Sequence, residues 1–142
     1  MFIKQLSIFV ENKHGRLEAI IDAMCAKGVN IRALSIADTT DFGVLRVIVD
    51  DNEKAKKALD EIGVIAKMTD VVAVYIDDRT GGLHSILKII SDGGVSVEYM
   101  YAFLGRTEGK ALMVLKADDE VKAEQLLADN GIEFLSTQEL NS

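Results

Sequence analysis

The residues best suited to chemistry in this chain stand in two short polar turns. They read Glu11-Asn12-Lys13-His14-Gly15-Arg16-Leu17 and Asp77-Asp78-Arg79-Thr80-Gly81-Gly82-Leu83. Each follows a segment of alternating apolar residues and precedes one with helical apolar spacing, so each reads as a strand-to-helix turn. A glycine at a helix start lets backbone approach a ligand closely, and the unpaired N–H groups there favour an anion such as a carboxylate. A short polar side chain just before it, Asn12 or Asp78, can hydrogen-bond an ammonium or amide group. Together these features suit the two ends of a zwitterionic amino acid. The same spacing also suits a plain capped turn that binds nothing, and spacing alone does not separate the two.

Signatures of other chemistry are absent from the sequence. No nucleophile-elbow, zinc-protease, P-loop or dinucleotide-binding motif is present. His14 and His84 are the chain's two histidines, and Cys25 is its one cysteine, which leaves a soft-metal site without enough ligands. The acidic pairs Asp50-Asp51, Asp77-Asp78 and Asp118-Asp119 fall at element boundaries, where helix capping and solvation account for them. The sequence therefore reads as that of a non-enzyme, with no catalytic residue, no metal site and no cofactor expected.

The elements that position the turns are arranged as an internal repeat. Leu6–Ala37 matches Val72–Phe103 at an offset of 66. The alternation Leu6, Ile8, Val10 recurs as Val72, Val74, Ile76, and the helical stripe Leu17, Ile20, Ile21, Met24 recurs as Leu83, Ile86, Leu87, Ile90. Gly28-Val29-Asn30-Ile31 recurs as Gly94-Val95-Ser96-Val97. After the offset moves to 68, the strand segments Phe42–Val49 and Lys110–Lys116 correspond. They are followed by the N-cap pairs Asp51-Asn52 and Asp118-Asp119, second helical stripes, the C-cap glycines Gly63 and Gly131, and short apolar runs. Each half is thus β-α-β-β-α-β, with residues 1–69 and 70–142 expected as the two domains. The fold class is α+β: two tandem ferredoxin-like βαββαβ repeats, with antiparallel sheets, helices on one face, and the repeats packed together.

The chain resembles the ACT domains, amino-acid-sensing modules of biosynthetic enzymes, and does so twice. That family shows a D-R-P-G-x-L stretch, an apolar helix, and then G-[IV]-[NS]-[IV]. Asn12-Lys13-His14-Gly15-Arg16-Leu17 with Gly28-Val29-Asn30-Ile31 matches that pattern, as does Asp78-Arg79-Thr80-Gly81-Gly82-Leu83 with Gly94-Val95-Ser96-Val97. One departure is that His14 and Thr80 stand at the proline position, and the chain contains no proline.

The resemblance implies side-by-side pairing of domains, with the effector at the interface between repeats. The ligand-binding residues it implies are Asn12, His14, Gly15 and Leu17 with Asn30 and Ile31, and equivalently Asp78, Thr80, Gly81 and Leu83 with Ser96 and Val97. Asn12 and Asp78 would bind the amine, and the Gly15 and Gly81 amides the carboxylate. The non-identical residues imply two sites of unequal affinity, or one that is vestigial.

Composition fits such a module. Of 142 residues 49 % are apolar, enough for a core, whereas a half-chain alone would be marginal. A formal charge of −7 without a basic stripe argues against nucleic acid. Residues 1–12 lack a signal-peptide layout and no apolar run reaches membrane length, so the expectation is a cytoplasmic protein with no membrane partner. The expected partners are a free amino acid and either a second copy of the chain (a dimer) or a biosynthetic enzyme. The alternative is a non-catalytic regulatory subunit of an amino-acid biosynthetic enzyme that binds no ligand itself.

Overall fold

Helix and strand assignments follow the periodicities of the sequence. In the computed structural model, which describes residues 1–38, 42–105 and 107–141, the elements alternate as the repeat requires. They are β1 (Ile3–Glu11), α1 (Arg16–Ala26), β2 (Ile31–Asp38), β3 (Phe42–Val49), α2 (Asn52–Glu61) and β4 (Ala66–Asp77). There follow α3 (Gly82–Asp92), β5 (Val97–Ala102), β6 (Lys110–Ala117), α4 (Glu120–Asp129) and one helical turn, α5 (Thr137–Leu140). Two compact units result. The first holds Lys4–Thr69 with Leu140 and Asn141, and the second holds Asp70–Glu139 with Met1–Ile3.

In the first unit β3 pairs antiparallel with both β1 and β2. The Phe9 N–H donates to the Ile65 carbonyl at 3.3 Å, which lays the segment before β4 along the edge of β1 opposite β3. The spatial order is that of the ferredoxin-like fold. Leu6, Ile8 and Val10 of β1 and Leu45 and Val47 of β3 are buried together with Ile20 and Met24 of α1 and Leu59 of α2. The period of two in the strands and the i, i+4 spacing in the helix bring these residues to one layer.

The second unit repeats the plan. β6 pairs with β4 and β5, and Val74 of β4 is bridged antiparallel by Phe134. Its core holds Val72, Val74 and Ile76 with Ile86, Ile90, Leu115 and Leu127. The expected strand Lys110–Lys116 extends one residue further, and its fourth strand is reduced to the bridge at Phe134. β4 runs without interruption through Thr69-Asp70, the expected boundary between residues 1–69 and 70–142.

Candidate functional site

Gly15 and Gly81 are the N-caps of α1 and α3, with φ of 78° and 86°. That left-handed conformation is open to glycine and strained for other residues, so it accounts for the recurrent glycine. Neither helix receives a side-chain cap. Helices α2 and α4 behave differently: the Asp51 and Asp119 carboxylates accept from the Lys54 and Lys122 N–H groups, each at 3.1 Å. The same fold therefore caps its second helix twice with aspartate and leaves its first helix uncapped twice.

Within each turn the first helical amide is used locally. The Arg16 N–H donates to the Lys13 carbonyl at 3.2 Å, and the Gly82 N–H to the Arg79 carbonyl at 3.0 Å. The next two amides, those of Leu17 and Glu18 and of Leu83 and His84, belong to the helix start, where no intrahelical acceptor exists. Asn12, His14 and Gly15 are exposed, as are Asp78, Thr80 and Gly81. Leu17 and Leu83 begin the apolar stripes, yet they are 38 % and 44 % exposed rather than part of the cores. Each turn thus presents a polar side chain, uncapped amides and an accessible leucine.

Several of the charges around the turns are paired. The Lys13 ammonium bonds Glu11 at 3.0 Å and holds its carboxyl below the usual glutamate range. In the second unit Lys110 pairs directly with Asp77, and Arg79 lies 3.5 Å from the same carboxylate. The Lys110 bond is the larger reason that Asp77 is held below the usual aspartate range.

Asn30, Ile31, Ser96 and Val97 are placed elsewhere. Glu11 lies opposite Phe42 at one end of β3, whereas Ile31 lies opposite Val49 at its other end. The turn and the start of β2 are therefore separated by the length of a strand, about 20 Å. Asp77 opposite Lys110 and Val97 opposite Ala117 reproduce the separation in the second unit. No single unit offers both groups of residues to one small ligand.

The backbones of Asn30 and Ser96 have a structural task. Each N–H donates to an aspartate Oδ1, of Asp50 at 2.9 Å and of Asp118 at 3.0 Å. Each carbonyl accepts the N–H of the same aspartate.

Beside each turn lies a cavity that the sequence reading missed. In the first unit it measures about 270 Å³ and is lined by Phe9, Glu11, Arg16, Phe42 and the segment from Gly63 to Ile65. In the second unit it measures about 250 Å³, and its lining includes Tyr75, Asp77, Gly82, Lys110 and the segment from Gly131 to Glu133. These are the same repeat positions. The available signal was Phe9 itself, an apolar residue out of phase with the buried Leu6, Ile8 and Val10. Among the described residues no cluster of His, Cys, Asp and Glu has metal-site geometry, and no helix is long and apolar enough to cross a membrane.

A family model described as an ACT domain pair matches residues 1–142, the whole chain. The protein belongs to the ACT family as a tandem pair. A solved structure of a protein from Bacteroides thetaiotaomicron is 36 % identical, with 100 % of this chain and 97 % of that chain covered and a TM-score of 0.92. The regulatory subunit of aspartate kinase from Thermus thermophilus, in its ligand-free form, has a TM-score of 0.64 at 14 % identity, covering 89 % of this ACT pair and 90 % of that chain. Its counterpart from Thermus flavus has a TM-score of 0.60 at 13 % identity, with coverages of 89 % and 90 %. At those identities the likeness is one of fold. No curated protein matches the chain.

Proposed function

We propose that this ACT pair is a cytoplasmic regulatory protein that senses a free amino acid, with the β1–α1 and β4–α3 turns as its ligand-binding elements. The observation that carries the reading is the contrast in capping. Asp51 and Asp119 close the starts of α2 and α4, while α1 and α3 begin at left-handed glycines without a side-chain cap. A ligand carboxylate supplies the missing acceptor for those amides, and Asn12 or Asp78 takes the ammonium. His14 and Thr80 flank the ligand's variable end. Asn30 and Ile31, with Ser96 and Val97, lie too far along the sheet to share a ligand with the turn of their own unit. In this proposal they complete the site from another copy of the fold.

The proposed role is regulatory rather than catalytic, and its output requires a partner. The two aspartate kinase regulatory subunits that share the fold suggest its kind: an amino-acid biosynthetic enzyme or a second copy of this chain. Calorimetric titration with each of the twenty amino acids tests the reading. We expect selective binding of one or a few, weakened about tenfold or more by Asn12→Ala or Asp78→Ala, the scale of one lost charge-assisted hydrogen bond. Absence of binding across the series would overturn it in favour of a subunit that binds no ligand.

A further inference from the structure

We propose that the groove beside the first turn, and not its equivalent in the second unit, receives the side chain of a small apolar carboxylic acid, so that each chain binds one such molecule. The proposal rests on the amino-acid-binding reading and adds the ligand's chemical class and stoichiometry. Its first support is the lining. Phe9 and Phe42 meet edge to face with ring centroids 5.9 Å apart, and both remain accessible, at 49 % and 42 %. Ile65, on the segment that borders the same groove, is 72 % exposed. Three large apolar side chains converging on one opening of about 270 Å³ form a space suited to a branched or aromatic side chain. It is smaller than the cavities that hold drug-sized ligands.

The second support is charge. Arg16 lines the groove and is the first residue of α1, the helix whose start has no side-chain cap. Among the described residues it makes no ion pair within bonding distance. Glu11 is bonded by Lys13, and the Arg16 charge acts on it only as the weaker, longer-range influence. A guanidinium without a bonded carboxylate at the mouth of an apolar groove complements a ligand with an apolar body and one carboxylate. An amino acid and its 2-oxo acid share that chemistry.

The third support is the equivalent position in the second unit. There Lys110 replaces Phe42, Glu133 replaces Ile65 and Gly82 replaces Arg16. Lys110 and Asp77, opposite each other on β6 and β4, both line the cavity and form an ion pair. Tyr75 and Ile132 keep the places of Phe9 and Val64, but an apolar side chain entering this cavity would have to desolvate the ion pair, so its mouth is charged where that of the first is apolar.

Titration of the intact chain with L-phenylalanine, L-leucine, phenylpyruvate, L-aspartate and L-lysine tests the inference. The expected result is binding of the apolar carboxylates at one per chain. Arg16→Gln and Ile65→Glu should each weaken it about tenfold or more, and Glu133→Ile should leave it unchanged. Ile65 is exposed enough for the substitution to leave the fold intact, which circular dichroism verifies. Phenylpyruvate binding as tightly as phenylalanine would identify the carboxylate and apolar body as sufficient; tighter binding of phenylalanine would assign the ammonium a contact in the turn.

Binding of only L-aspartate or L-lysine, binding at two per chain, or affinities indifferent to both first-unit variants would overturn the groove while leaving amino-acid sensing in place. A sedimentation change in Ile65→Glu with unaltered affinity would instead make the patch a self-association face and also overturn it. Failure of every compound to bind would remove both readings.

Discussion

Arg16 and Gly82 hold the same place in the two units, and the difference divides the turns. A Cβ built on Gly82 would stand 2.0 Å from the Asp77 carbonyl oxygen, a backbone atom that cannot swing aside. Gly82→Ala is expected to destabilise the second unit by about 1–3 kcal/mol, the usual cost of overpacking, as measured by denaturant unfolding. Titration also belongs to this scale. Asp77 is held below the ordinary aspartate value of 3.8 by Lys110 first and Arg79 second. A carboxyl depressed in the folded state stabilises fully above its unfolded pKa, and that contribution disappears as pH falls through the folded value. Asp77→Asn should therefore lose less stability than the parent between neutral and strongly acid pH, as read from urea midpoints. Glu120, pushed up mainly by burial, acts with the opposite sign in both proteins and cancels from the comparison. Equal acid losses in the two proteins would contradict the ion pair's role.

Helix starts are the elements to which we assign ligand binding, because two are closed by side chains and two are not. Asp51→Ala and Asp119→Ala each remove an acceptor from a helix amide and are expected to cost about 1 kcal/mol in denaturant unfolding. Such caps were readable from the chain, since an acid precedes an apolar helical stripe at both positions. The cores were readable for the same reason: Leu6, Ile8 and Val10 and their counterparts carry the strand period, and Ile20 and Met24 the helical one. What pattern could not reveal was distance. Asn30 and Ile31 belong to the same family motif as Gly28, yet strand register sets them at the far end of the sheet from Asn12. Their recurrence has a partly structural cause, the paired hydrogen bonds of Asn30 with Asp50 and of Ser96 with Asp118. The groove was hidden because Phe9, Phe42 and Ile65 come from three separate segments, and only folding brings them to one opening.

At the scale of the molecule, duplication supplies two turns of one design with different surroundings. A ligand that binds only the folded chain raises its stability by mass action, about 2.7 kcal/mol at a hundredfold excess over Kd. For a protein of this size that is a shift of several degrees in melting temperature. A regulatory output follows when the ligand prefers one of two arrangements that a partner distinguishes, since only differential affinity moves an equilibrium. The most direct test is the melting temperature of the intact chain against the twenty amino acids at millimolar concentration. We expect a selective rise of several degrees, abolished by Asn12→Ala in the first unit, whereas a flat series would contradict amino-acid sensing and leave the ACT pair as a subunit without a ligand of its own.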